Sequence, residues 1–228
     1  ALNPNNPGLA NSNFDIRHRI VSTLGYKKDW NKTFTSYLSF VFTGQSGTPF
    51  SWTMNSNKVS NSGQQIDLAY IPASQSDINL VAYTDASGNV ISAQQQWENL
   101  DSYVGSQKTL NDSRGHFTER NGGRTPWNNR LDMRFMQDIN FYVKERKHTF
   151  QISCDIVNFT NLINKNWGYA YFVPDTQNSS GFFGLTPAGS KGANGNPNYT
   201  YTTPTTTPWS VDKLASRWQM QIGIRYQF

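Results

Sequence analysis

Three histidines, one cysteine and scattered carboxylates are the side chains here that could run a catalytic or metal centre. His18, His116 and His148 lie in no metal-ligand spacing. A hydrolytic centre needs Ser, His and Asp to converge. Ser153 and Asp155 share one face of an extended segment, and His148 falls on the other, so no local dyad forms. Cys154 has no second cysteine to pair with and falls on an apolar face, where it acts as a small hydrophobe. No enzyme activity, metal or cofactor is expected.

Recognition chemistry remains. Arg120 and Arg124 flank Gly122 and Gly123 just before Pro126 and Trp127. Two guanidiniums there suit an anionic solute, or loop carboxylates such as Asp112 and Glu119. The same stretch is also backbone punctuation, a Gly-Gly turn followed by a strand start, and that structural reading is preferred. Trp97, Tyr169, Tyr171 and Phe172, with Tyr199 and Tyr201, fall in long connections. They suit stacking on sugar or peptide, or packing inside the connections themselves, and both readings stay open. A third set, Arg17, Arg19, Asp132, Arg134, Asp138, Asp155, Arg217 and Arg225, lies on the polar faces of extended segments. These residues would line a wet interior, as cross-strand charge pairs or as contacts to a plug or solute.

The elements that carry these residues alternate. In Leu214–Phe228, Trp218, Met220, Ile222, Ile224, Tyr226 and Phe228 share one face, and Arg217, Gln219, Gln221, Arg225 and Gln227 share the other. The same pattern runs through Phe14–Lys27, Thr33–Gln45, Arg130–Val143 and His148–Thr160. A weaker sixth segment covers Ile66–Tyr70, extended by Ile78–Tyr83. The five clear segments are longer than the usual 5 to about 6 residues of soluble strands. They reach the 9 to about 11 residues that a tilted membrane strand needs.

Connection lengths sharpen the reading. Lys28–Lys32 and Lys144–Lys147 are tight charged hairpins. The connections over about 46–127 and 161–213 are far longer than the median of about 4 to 6 residues in compact soluble domains. Short turns alternating with long loops are the rhythm of outer-membrane barrels. Within the first long connection, Ser92–Ser106 reads as a helix with Ser92 as N-cap and Trp97, Leu100 and Val104 on one face. The second, rich in Gly, Asn, Thr and Pro, reads as an irregular loop. Trp30, Trp52, Trp127, Trp167, Trp209 and Trp218 fall near predicted strand ends and read mostly as girdle aromatics.

Composition fits that class. Only 15% of the 228 residues are charged, 14% are aromatic, and the mean hydropathy is −0.64. Uncharged polar residues have replaced charge, as a wet-lumen barrel with a thin apolar band requires. No run of about 20 apolar residues occurs, which excludes a transmembrane helix but not barrel strands. The net charge of +5 is spread without a basic stripe, so nucleic acid is not an expected partner. No signal peptide is seen, and a start at Ala1 without Met reads as a processed product or a piece of a longer chain.

Four segments carry a family resemblance: Ser12–Ser22 (SNFDIRHRIVS), Thr43–Ser51 (TGQSGTPFS), Glu119–Arg134 (ERNGGRTPWNNRLDMR) and Asp155–Gly168 (DIVNFTNLINKNWG). Together with the terminal aromatic strand, they resemble the C-terminal barrel region of TonB-dependent outer-membrane receptors of the Bacteroidetes. The nearest group is the Oar-like receptors with a carboxypeptidase-regulatory-like domain, related to SusC-like transporters. The resemblance covers essentially the whole chain. It implies an all-β fold, an antiparallel transmembrane β-barrel segment supplying about the last six strands of a barrel of about 22, with long extracellular loops. Six strands are too few to close a bacterial barrel by themselves, since about eight is the minimum.

The resemblance further implies residence in the cell outer membrane. Implied partners are outer-membrane lipid, the remaining strands and plug of the same receptor, the inner-membrane TonB complex, the barrel-assembly machinery and a surface lipoprotein. Plug and TonB box would lie outside these residues. Trp218, Ile222, Ile224, Tyr226 and Phe228 would form the barrel-assembly signal, with Phe228 at the periplasmic rim. The implied function is import of a bulky solute. An outer-membrane adhesion or interaction protein without transport, and a secreted glycan-binding β-sandwich, are the alternatives.

Overall fold

A computed structural model describes residues 8–54, 67–174 and 180–228. The chain divides into two compact units. One comprises residues 16–47, 126–172 and 211–228; the other comprises 1–15, 48–125 and 173–210.

The first of these is a five-stranded antiparallel sheet. Its strands are β1 (Arg19–Asp29), β2 (Phe34–Gln45), β3 (Asn128–Val143), β4 (Arg146–Val157) and β5 (Gln219–Gln227). The order β1-β2-β3-β4-β5 is a meander, and the sheet is open: β1 and β5 are edges. Fold class is therefore all-β and mainly antiparallel, while closure into a barrel is not seen. The weak sixth segment is no member of this sheet. Ile66 lies outside the described residues, and Tyr70–Ile71, Asn79–Leu80 and Tyr83–Thr84 are two-residue strands of the other unit. Each is pinned by a different partner, so a short apolar run there never extends into a long ladder.

Strand ends shift from the sequence reading for local reasons. Phe14 and Asp15 are held in a turn by Ser12, so β1 begins later and runs to Asp29. Asp212 accepts the backbone N–H groups of Leu214 and Ala215 at 2.9 Å and curls that stretch into a turn. β5 accordingly starts at Gln219.

The turns follow from their side chains. Between β1 and β2, Asn31 accepts from the amides of Thr33 and Phe34 at 2.8 Å, an Asx turn. Between β3 and β4 only Lys144 and Glu145 intervene, with φ of 49° and 72°. Positive φ at both central residues is the two-residue type I′ geometry that matches sheet twist. Both turns and the terminal Gln227, which lies opposite Thr149, sit at the same end of the sheet.

The second unit is built from the two long connections. Its strands Pro49–Thr53 and Ser180–Phe182 pair in parallel, and Asn79–Leu80 pairs with Pro197–Tyr201. The helices are α1 (Ala93–Ser106) and α2 (Lys108–Asn111) here, and α3 (Phe159–Ile163) in the sheet unit. Ser92 caps α1 by accepting from the Gln95 amide, as expected, and Leu100 and Val104 are fully buried. Phe50, Trp52, Ile71, Leu110, Phe183, Leu185 and Tyr201 belong to the same core. The 161–213 stretch is thus less irregular than its composition suggests: Leu185–Lys191 and Pro197–Tyr201 form a hairpin. Its few apolar residues find partners in the other connection, which periodicity cannot reveal. Trp52 and Trp209 belong to this core rather than to a girdle at the strand ends.

Candidate functional site

The sheet has two chemically distinct faces. Register places Leu24 and Tyr26 beside Phe40 and Leu38, and these beside Met133 and Phe135; Phe42 lies between Ser22 and Leu131. The row continues through Cys154 and Ile156 to Ile222 and Met220. One apolar face therefore runs unbroken across all five strands. It has almost no core behind it: Leu24 is 68% exposed, Ile222 69%, Ile224 70% and Phe135 38%, and Phe150 is half-buried. Of the apolar side chains on this face, Ile156 is the one fully buried, where Phe159 of α3 packs on the neighbouring Phe40.

Aromatic residues mark both ends of that face. At the hairpin end, Phe141, His148 and Tyr226 stack at interplanar angles of 14° to 16°, and Phe228 continues the stack on Tyr226. His148 Nδ1 lies 2.6 Å from the Tyr226 hydroxyl. Trp30 stands exposed at the same end, its indole donating to Ser36 at 2.9 Å. Trp127, Trp167 and Trp218 stand half-exposed at the other.

The opposite face is polar and partly neutralised. Arg134 lies directly across from Asp155 and donates to it at 2.9 Å. Asp132 pairs with Arg130 at 3.1 Å and accepts the Asn158 amide at 2.8 Å. Asp138 accepts from Gln151 at 2.7 Å, and Arg225 lies opposite that glutamine. Arg19 is opposite Gln45 at the β1 edge, and Arg17 and Arg217 stand exposed just before their strands. Four of the eight charged candidates are thus gathered on the central strands β3 and β4; the rest lie at the sheet margins.

The loop candidates scatter. Trp97 packs against the core of the second unit. Arg120 is exposed in the turn after Glu119, where Asn121 takes a φ of 58°. Arg124 donates to the Asp15 carboxylate and to its backbone oxygen at 2.9 Å. Its partner is therefore Asp15 rather than Asp112 or Glu119. Gly123 lies flat on Phe50, where a Cβ would come within 2.6 Å of the ring. That contact explains the glycine and supports the backbone role of this motif. Burial pushes the phenols of Tyr103, Tyr199 and Tyr201 up; the Tyr201 hydroxyl is buried without a hydrogen-bond partner among the described residues.

Tyr169 and Tyr171 belong to a constellation that the sequence reading did not assemble. Their rings meet edge to face at 6.2 Å. With Trp167 they form one wall of a notch of about 330 Å³, and Phe42, Trp127, Asn129 and Leu131 form the other. Phe172, next in line, is half-exposed. The Asn-rich stretch after β4 holds this wall. Asn158 adopts the left-handed conformation, is 1% exposed, and donates to the carbonyls of Gly168 and Ser216 at 2.8 Å. Asn161 donates to those of Lys165 and Trp167 at 3.0 and 2.9 Å. The spacing of Asn158, Asn161 and Asn164 was the available signal, since each can replace a backbone turn partner.

No group of His, Cys, Asp and Glu capable of holding a metal occurs among the described residues. No described helix is long and apolar enough to cross a membrane, which says nothing of strands. No protein-family model, curated protein or solved structure matches the chain.

Proposed function

We propose that this chain is the C-terminal portion of a TonB-dependent outer-membrane receptor that imports a bulky solute. The observation that carries the reading is the apolar face of the sheet, continuous over five strands, exposed on the edge strands β1 and β5 and mostly half-buried to exposed on the strands between. A soluble sheet of this size buries one face against another layer. An exposed apolar patch of such extent marks a membrane or protein surface. The unpaired ladders of β1 and β5 support the same reading, because long apolar edges are templates for further strands. Tight turns at one end of the sheet, with the long connections leaving from the other, fit periplasmic and external sides in that order.

The test uses the full receptor in phospholipid vesicles, with a spin label at single cysteines in a Cys154→Ser background. Labels at 133, 134 and 135 and at 221, 222 and 223 should alternate in oxygen against aqueous-quencher accessibility. Uniform aqueous accessibility would end the membrane reading. A second reading, an interaction or adhesion protein without transport, is favoured by one feature: the two long connections form a unit with its own core. Deleting residues 67–117 should abolish uptake on the first reading; on the second it should abolish only partner binding.

A further inference from the structure

The notch between Trp127 and Trp167 sits where two of the family-like segments meet. Its floor is Phe42 and Leu131, which face each other across β2 and β3 on the exposed apolar face. Its mouth carries Trp127 and Trp167, 43% and 53% exposed, and the carboxamides of Asn129 and Asn166. The indole N–H groups of both tryptophans and the Asn129 side chain have no hydrogen-bond partner among the described residues. Arg130 also lines the notch; by strand parity its side chain turns toward the polar face, where its charge is paired with Asp132. Rings to stack on, uncharged donors at the rim and an apolar floor suit a ligand with one uncharged polar ring and an apolar tail. At about 330 Å³, the notch is of the size of a small-ligand site.

We propose that this notch binds the uncharged sugar headgroup of a membrane glycolipid, with its acyl chains lying along the apolar face past Phe42 and Leu131. The inference rests on the membrane reading above, since the tail needs that face in lipid. The pyranose ring would lie against Trp127 and Trp167. Its hydroxyls would accept from the indole N–H groups and the Asn129 amide. Asn158 and Asn161 act as positioning residues, holding the Trp167 segment without touching the ligand.

The experiment uses the full receptor in nanodiscs of phosphatidylcholine with or without a monohexosyl diacylglycerol. Lipid retained on the protein is counted by native mass spectrometry. The proposal expects retention of the glycolipid over phosphatidylcholine, weakened about tenfold, equivalent to about 1.4 kcal/mol, by Trp127→Ala or Asn129→Ala. Trp30→Phe, at the far end of the sheet, should leave retention unchanged. Equal retention of both lipids, or unchanged retention in both notch variants, would overturn the assignment. A free methyl hexoside that binds as tightly as the glycolipid would overturn the amphiphile part of it. The spin-label alternation reads the membrane reading separately, so the two failures can be told apart.

Discussion

Ile222→Arg tests the membrane reading through its energetics. Ile222 lies next to Gly223, the midpoint of β5, and faces Cys154 across the pair. The nine residues of β5 span about 30 Å, which a tilt of about 40° reduces to about 23 Å, close to the apolar band of about 25 Å. Residue 222 therefore falls near the bilayer midplane, where an outward arginine costs about 2 to 4 kcal/mol. In water the same change would be nearly silent. Ile222 is 69% exposed, so it has little packing to lose, and such surface changes stay within about 0.5 kcal/mol. The control is Gln221→Arg, whose site is opposite Asp155 on the polar face and should cost little. Both variants of the full receptor would be unfolded with denaturant in phospholipid vesicles and followed by tryptophan fluorescence. A cost under about 0.5 kcal/mol for Ile222→Arg, or equal costs for the two variants, would refute the reasoning. A cost that vanishes on dilution of the protein would place another chain on that face instead of lipid.

Four further outcomes follow from the packing. Gly123→Ala should destabilise the loop unit by about 1 to 3 kcal/mol in thermal unfolding, because its Cβ would overlap the Phe50 ring, while Gly122→Ala meets only the Glu119 side chain and backbone at 3.2 Å and costs less. Asn158→Ala leaves the Gly168 and Ser216 carbonyls without their donor and should cost about 2 to 3 kcal/mol, read by protease susceptibility of the Trp167 segment; Asn158→Gly restores the backbone but not the bonds, and so should recover only part. Glu145→Gly should stabilise the β3–β4 hairpin by about 1 kcal/mol, since φ of 72° strains a side-chain-bearing residue; a loss of stability in denaturant titration would contradict that. Tyr201 is held neutral in the folded state, so its contribution is complete below the ordinary phenol value near pH 10 and is lost as pH rises above it; Tyr201→Phe should flatten that alkaline decline and be neutral or stabilising, and a steeper decline in melting temperature would count against the argument.

The long strands were legible because both their periods are local. Alternation in Arg130–Val143 or His148–Thr160 puts each side chain on a face before any partner is known, and the partner strand obeys the same rule. Charge placement followed from the same parity: Arg134 and Asp155 share the polar face by sequence alone, although that they pair at 2.9 Å required the register. The N-cap of α1 was equally local, a serine hydroxyl reaching an amide three residues on.

The second unit was not legible, for a physical reason. Its core joins Phe50 and Trp52 to Phe183, Leu185 and Tyr201 across more than a hundred residues of sequence, in strands too short to show a period. Arg124 likewise chose Asp15 over nearer carboxylates because the strand from Gly123 is anchored on Pro49 and Phe50. The notch is the same case, since Trp127 and Trp167 meet only because β3 and β4 are neighbours and Asn158 turns the chain back. By itself the sequence determined an all-β chain of alternating long strands with one apolar face, since alternation is a property of the backbone. Tertiary structure alone decided that this face stays uncovered, that the long connections share a core, and which side chains meet, because those depend on contacts between residues distant in the chain.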